Sequence, residues 1–548
     1  MSGESDDETA APAEEEAAGA VPLAGATDDT IDDTTGGMRL DLVRQPARYP
    51  RTPLLALIIV AVLPAVGLLA LFQWSDGRAD SYDNARELDD ETVDGSITTS
   101  AEDGSDNDPN GEVSIADTLD VELFDYRRAP DPIALVASVN RLAEAVEPVF
   151  TFVSSDSCAA IAVDGVLATS TNIDVPVIPA SNQKLLTALA AWEVLGPEHR
   201  FTTRVTSPPI VDGIVTGDLY LVGGGDPLLT TADYPIQDDL YPAFNTTSLD
   251  ALADAVVAAG VQVVGGAVVG DGTRYDDEYG VDGWGPGVAF VDAGPYDALF
   301  VNAGRELGNS GPSSDPVDAA ANEFERLLQA RGVVVNNGST NGIADPAAAE
   351  IAAVQSAPLA DVLAVMLTTS DNNTAELMLK EIGVIDAGEG TRAAGLTTMD
   401  RVLRNAGVPM DGVNFFDGSG LHPQNRVTCG AVLEVIHLLG ATPVAEGMAV
   451  AGERGTLASE FIDTPVAGRL TGKTGTLNNE PFDVDPPAVK ALAGYLGQGD
   501  AGTIEFVLIL NTPDVTVDDQ HRPLWIALTE RLDTFPAGPS AVDLGPAP

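Results

Sequence analysis

The chain has 548 residues, with 27 Lys and Arg against 84 Asp and Glu, a formal net charge of −57, 44% hydrophobic residues and 2 Cys. Such a length carries a large buried core and roughly two to four domains, and the hydrophobic content excludes a wholly disordered chain. The charge argues against a nucleic-acid partner, which needs basic contacts to release phosphate counterions, and two cysteines with scattered histidines (His199, His422, His437, His521) are too few for a structural zinc site.

Residues 1–37 hold acidic residues and no basic ones. With too little apolar material for a core, 1–52 reads as a disordered acidic tail. Arg39, Arg44, Arg48 and Arg51 then precede the uncharged run Pro53–Phe72 (PLLALIIVAVLPAVGLLALF). About twenty such residues cross a bilayer, and a mid-span proline such as Pro64 is tolerated there. A buried core helix fits the length and flanks less well, and the fifty or so residues ahead of the run argue against a cleaved signal peptide. The expectation is one transmembrane helix at 53–74. With arginines before it and acids after it, the N-terminus is cytoplasmic and everything beyond Trp74 is extracytoplasmic. Residues 75–115 are rich in Asp, Glu, Ser and Gly and read as a self-repelling linker. Helical spacing follows over Ile133–Val149, then strand-like runs at Val149–Ser154 and Ala159–Val163. The block 207–350 is glycine-rich, with short β-like runs such as Asp218–Val222 and Val261–Val269. Helical periodicity returns after Ala357. Strands are predicted at Ala491–Leu496 and Ile504–Asn511, and an amphipathic helix at Arg522–Leu532.

Three motifs carry chemistry. Ser181-Asn182-Gln183-Lys184 opens a helix whose apolar positions are Leu185, Leu186, Leu189 and Val194, stopped by Gly196-Pro197. Ser181 and Lys184 share one helix face at i and i+3. A lysine whose pKa is lowered can activate a serine hydroxyl, and the first-turn N–H groups favour a developing oxyanion. Taken alone, the motif equally fits a capping serine with a surface lysine. Only four lysines exist (Lys184, Lys380, Lys473, Lys490), and this is the one S-x-x-K. Lys473-Thr474-Gly475-Thr476 precedes Ala491–Leu496 by a loop, as an edge strand of a hairpin would. Its glycine lets a ligand approach the backbone, although alone it also fits a Gly-rich turn. S-x-N occurs at Ser105–Asn107, Ser138–Asn140, Ser339–Asn341 and Ser370-Asp371-Asn372. The last lies between helices predicted at Leu359–Leu367 and Thr374–Ile382, a placement that fixes side chains, and is therefore preferred.

In the order S-x-x-K, S-x-N, K-T-G these motifs are the signature of penicillin-binding proteins and class A β-lactamases. The chain resembles the D-alanyl-D-alanine carboxypeptidase/endopeptidase family of PBP4-like, class C low-molecular-mass penicillin-binding proteins (peptidase family S13). Leu221-Val222-Gly223-Gly224-Gly225-Asp226-Pro227, Asp417-Gly418-Ser419-Gly420-Leu421 and ALAGYL at 491–496 fit the same family, and the likeness covers residues 130–535.

The resemblance implies an α+β serine hydrolase fold of the penicillin-binding/β-lactamase-like type. A five-stranded antiparallel sheet flanked by helices would face a helical lobe. The catalytic domain would be split into 116–206 and 351–535, with a β-rich inserted domain at 207–350, short for two full subdomains, and a tail at 536–548. It implies Ser181 as the acylated nucleophile, Lys184 as its base, and Ser370 as the proton relay to the leaving D-alanine. Asn372 would orient Lys184 and the substrate amide. Lys473, Thr474 and Thr476 would hold the terminal carboxylate in a strand that Gly475 keeps open, and the N–H groups of Ser181 and Thr476 would form the oxyanion hole. No metal or cofactor is implied. The partners would be peptidoglycan stem peptides, β-lactams as covalent inhibitors, and the membrane through one helix. In an oxidising compartment Cys158 and Cys429 would form a disulfide, two buried thiols being the alternative. His422, beside the Asp417–Leu421 motif, is a weaker candidate base because a lysine already fills that role. A β-lactamase is a rival within the superfamily, and a non-catalytic cell-wall-binding scaffold is a rival outside it.

Overall fold

The computed structural model describes residues 130–540 except 235–242, 286–291, 310 and 479–486. The predicted tail, membrane span and acidic linker (1–52, 53–74, 75–115) and the last eight residues lie outside the described residues. Among the described residues, no helix is long and apolar enough to cross a membrane.

Helix α1 (Pro130–Phe150) opens on prolines, which a first helical turn accepts, and buries Leu142, Val146 and Val149. The strand expected at Val149–Ser154 is not formed. Phe152 and Val153 donate back to Val149 and Phe150 carbonyls, so the alternating β-branched residues finish the helix in turns instead. Strands β1 (Cys158–Val163) and β2 (Val166–Thr171) form a hairpin around Asp164-Gly165. Both turn residues have positive φ, 47° and 79°, as the right-handed twist of a two-residue hairpin requires. Helix α2 (Gln183–Leu195) follows.

The next block has its own sheet. Its strands are β3 (Thr202–Ser207), β4 (Leu219–Val222), β5 (Val268–Asp271), β6 (Ser339–Asn341) and β7 (Ala349–Gln355), in the spatial order β6-β5-β4-β3-β7. Two helices, α3 (Leu249–Ala258) and α4 (Pro316–Ala330), belong to it as well. The pairs β4–β5 and β5–β6 are parallel, and parallel neighbours need crossovers, which these helices supply. Leu252, Val256, Phe324 and Leu328 cover Val205, Leu221 and Val268 in a core separate from that of the larger sheet. The run expected as one strand at Val261–Val269 divides. Val263–Val264 joins a small four-stranded sheet and β5 starts at Val268. Gly265-Gly266 makes the break, because a Cβ on Gly266 would lie 2.1 Å from Asp218 Oδ1. The block's sheet runs from Thr202 to Gln355, slightly outside the expected 207–350.

The helical lobe comprises α5 (Leu359–Thr369), α6 (Asn372–Ala387), α7 (Arg392–Asn405) and α8 (Cys429–Gly440). Then come β8 (Ala449–Val450), β9 (Leu470–Leu477), β10 (Val489–Gly497), β11 (Thr503–Asn511) and α9 (Asp518–Leu532). The main sheet has the order β8-β9-β10-β11-β1-β2 and is antiparallel throughout. It therefore has six strands, not five. The extra one, β8, is a two-residue edge too short to show alternation in the sequence. Alternation along β10 sets both faces. Ala491 and Ala493 face the cluster around α2 and α8, and Leu492 and Leu496 face α1 and α9. The small alanines let α2 approach closely. Cys158 on β1 and Cys429 at the start of α8 are joined, with S–S 2.06 Å and Cα–Cα 5.9 Å.

Candidate active site

The chain enters the site in a tight turn. Ile178 is pinned by Asn511 at the end of β11, whose Oδ1 accepts from its N–H (2.7 Å) and whose Nδ2 donates to its carbonyl (3.0 Å). Ala180 then takes φ +47°, a left-handed conformation that costs a residue with a Cβ roughly 1 kcal/mol or more. Two glycines hold it there. A Cβ on Gly420 would meet the Ala180 carbonyl oxygen at 1.9 Å, and one on Gly475 would meet the Pro179 oxygen at 3.0 Å. Ser181 therefore sits in a 3₁₀ turn, Ala180–Asn182, that runs into α2.

Lys184, one turn on, is 0% exposed. Its Nζ donates to Ser181 Oγ (2.9 Å), Asn372 Oδ1 (2.6 Å) and the Ser419 carbonyl (2.7 Å). Three acceptors are all that an ammonium can serve. Burial pulls its pKa down to about 8, against the opposing pull of Asp417, Asp371, Glu376 and Asp292. Asn372 is fixed from its other end, because Nδ2 donates to the Asp292 carbonyl at 2.6 Å. Ser370 ends α5 at φ +66°, and the Asp371 side chain caps α6 by accepting from Thr374 N–H. Ser370 is thereby set in the turn between the two helices and Asn372 at the first position of α6. Lys473, also 0% exposed, donates to Ser370 Oγ and to the Thr474 carbonyl, both at 2.7 Å. Burial pushes its pKa well down, and the charge of Lys184 pushes it further. Side-chain hydrogen bonds thus join Ser181, Lys184 and Asn372 in one set and Ser370 and Lys473 in a second, and the backbone from Ser370 to Asn372 connects the two.

Thr474 Oγ1 lies 2.8 Å from Thr456 Oγ1. Because β8 pairs only with Thr471 and Gly472, residues Lys473–Leu477 have a ladder partner on one side only among the described residues. Gly475 brings that open edge against the Pro179-Ala180 turn. An extended peptide laid along it would find backbone groups for pairing.

Several contributors lie outside the three catalytic motifs. Glu376, on the Asn372 face of α6 at i+4, accepts from Gly418 N–H (3.0 Å) and Ser419 N–H (2.7 Å) and so sets the carbonyl that Lys184 uses. Burial, then the charge of Asp417, lifts its pKa to about 7. Asp417 accepts from Trp284 Nε1 (2.9 Å), Asn425 Nδ2 (2.7 Å) and the Gly420 N–H (2.9 Å), which holds the Asp417–Leu421 loop closed. The i+4 spacing could have found Glu376. Nothing in the sequence marks Asp292 or Thr456. His422 stacks on Phe416 with ring centroids 4.6 Å apart, and its Nδ1 accepts from Gln424 N–H. Of the other S-x-N runs, Ser138–Asn140 lies within α1, Ser339–Asn341 forms β6, and Ser105–Asn107 lies outside the described residues.

The sequence matches the D-Ala-D-Ala carboxypeptidase 3 (S13) family over residues 157–312 and 306–531. It is 31% identical to a D-alanyl-D-alanine carboxypeptidase of Actinomadura sp. (strain R39) over 419 residues, covering 61% of this chain and 73% of that protein. It is 31% identical to carboxypeptidase DacB of Mycolicibacterium smegmatis over 359 residues, covering 62% of this chain and 73% of that one. The fold is similar to penicillin binding protein 4 (dacB) from Haemophilus influenzae, with TM-score 0.58 at 19% identity over 71% of this chain and 98% of that one.

Proposed function

The chain belongs to the D-Ala-D-Ala carboxypeptidase 3 (S13) family of serine-type carboxypeptidases, and from that premise we propose that Ser181 is the nucleophile that cleaves D-Ala-D-Ala ends of peptidoglycan peptides. The carrying observation is the Lys184 Nζ, buried and 2.9 Å from Ser181 Oγ.

Lys184 acts once it has lost a proton. It takes the Ser181 hydroxyl proton as Oγ bonds to the carbonyl carbon of the penultimate D-alanine. The carbonyl oxygen becomes an oxyanion, received by the N–H groups of Ser181 and Thr476. Ser370 passes its proton to the nitrogen of the terminal D-alanine and regains one from the lysine side. The C–N bond breaks, D-alanine leaves, and an ester on Ser181 remains. Water attacks the ester, one of its protons restores the Ser181 hydroxyl, the other is released to solvent, and the peptide leaves as a carboxylate. Lys473, Thr474 and Thr476 hold the substrate carboxylate. That anion supplies the countercharge Lys473 lacks, so binding favours its ammonium, and the ammonium in turn favours neutral Lys184. A β-lactam, carrying a carboxylate and a strained amide, follows the same first step, but its leaving nitrogen stays tethered in the ester. The apolar run Pro53–Phe72 would anchor the enzyme, with its arginines inside and the catalytic unit outside.

Fluorescent penicillin added to membranes carrying the full chain is expected to give a persistent covalent band that is absent in Ser181→Ala. A band of equal strength in the variant would remove Ser181 from its role. Rapid loss of the band with release of hydrolysed drug would point to a β-lactamase instead.

A further inference from the structure

One more of the four lysines lies on the strand that pairs with the Lys473 strand. Lys490 on β10 lies directly opposite Thr476 on β9. Directly opposed residues of an antiparallel pair project from the same sheet face. Here it is the face that carries Leu470 and Leu492 into the core with α9. Lys490 Nζ donates to Thr476 Oγ1 at 3.1 Å and lies 5.4 Å from the ring centroid of Trp525. The charged groups around it are Glu460, Asp518 and Arg522. Arg522 already bridges to Glu460 at 2.8 Å and to Asp518 at 3.4 Å.

A threonine hydroxyl has one proton and two lone pairs, whereas a lysine ammonium only donates. With one lone pair taken by Lys490, the Thr476 proton is left to point elsewhere. A hydroxyl that accepts from a cation is also a better donor. Thr476 is the fourth of the five residues in the open part of β9 and is exposed. Its hydroxyl is thus a polarised donor at the edge where a peptide would lie, with a positive charge behind it. Such an arrangement suits an anion and gives little to a neutral group.

We propose that Lys490 is a positioning residue that makes the Thr476 hydroxyl a dedicated donor to a terminal carboxylate, and so sets a preference for peptides ending in a free carboxylate over amidated or internal ones. The inference rests on the reading of Thr476 as part of the carboxylate site.

The test uses the full chain in detergent and two synthetic peptides ending in D-Ala-D-Ala, one a free acid and one a carboxamide. The wild type is expected to favour the acid. In Lys490→Met the acid-to-amide ratio of kcat/KM should fall about tenfold, as loss of one charge-assisted contact implies. The fall should appear in KM on the acid, with kcat little moved. Lys490→Arg should keep the ratio within about twofold, since charge and donor remain. Thermal melts identify a variant that fails to fold. An unchanged ratio in Lys490→Met, equal losses on both peptides, or a wild-type ratio near one would overturn the inference, and the last needs no variant. A wild type that cleaves neither peptide and takes no penicillin would instead overturn the carboxypeptidase reading beneath it.

Discussion

Lys184 and Lys473 are both buried, but their surroundings differ. Lys184 has four carboxylates drawing its pKa upward, while Lys473 has none among the forces that shift it. Only the unprotonated fraction of Lys184 can take the Ser181 proton. With a pKa of about 8, that fraction is roughly a tenth at pH 7 and grows about tenfold per pH unit below it. The rate of penicillin acylation is therefore expected to rise with pH through about 8 and then level. Lys184→Arg keeps the charge but cannot give up its proton, so it should lose about 10²–10⁴ in rate and show no such rise. A variant that kept the rising limb would assign it to another group. The residues of this network were legible in the sequence as motifs because each needs a fixed spacing: i to i+3 for Ser181 and Lys184, and a two-residue step for Ser370 and Asn372. Asp292 was not legible. It contributes a backbone carbonyl, which every residue has, and its place beside Asn372 comes from the fold alone.

At the level of elements, the inserted block is bound to the helical lobe by charge. Arg274 grips Glu381 of α6 with two bonds, 2.8 and 2.6 Å, and Tyr275 Oη adds a third at 2.9 Å. Lys380, the neighbour of Glu381, bridges to Asp276 at 2.7 Å and donates to the Glu278 carbonyl at 2.7 Å. Arg392 of α7 pairs with Glu278. One five-residue stretch, Arg274–Glu278, thereby holds two helices. Glu381 is buried, so Arg274→Ala removes its guanidinium partner and leaves the carboxylate with the Tyr275 hydroxyl at 2.9 Å and His199 at 3.6 Å. Removing one partner of such a pair costs about 3–5 kcal/mol, whereas replacing both with apolar residues costs far less. Arg274→Ala should accordingly lower stability by that order in urea unfolding, and Arg274→Met/Glu381→Leu should recover much of it. Equal losses in the single and double variants would mean that the pair does not hold the interface. This clamp was not readable beforehand, because ion pairs about a hundred residues apart leave no periodic signal. The long strands and helices were readable, because alternation and helical spacing report burial. Where two signals overlapped, as at Val149–Ser154, the helix won through its terminal turn.

For the whole molecule, the order of motifs conveyed the architecture better than any local pattern did. A sheet whose first strands pair with its last, β11 against β1, closes the catalytic unit around the insertion, and no window of sequence contains both edges. The charge acts on this same scale. With 84 acids against 27 bases, most acids of the chain have no basic partner, so like charges repel along it. Such repulsion opposes the compact state and is screened by salt over about 10 Å at 0.1 M. Buried contacts such as those of Lys184 are screened far less. Raising NaCl from low levels to 1 M should therefore stabilise the fold, and a gain of about 2 kcal/mol would appear as roughly 2–3 °C in Tm for a folded unit of this size. Penicillin acylation at fixed pH should change little over the same range, apart from weaker capture of the anionic drug. If Tm fell with salt, the surface ion pairs, not the net charge, would be governing stability. Arg326–Asp233, Arg404–Asp400 and Arg469–Asp533 would then be the first pairs to remove, since all three are exposed enough for salt to reach them.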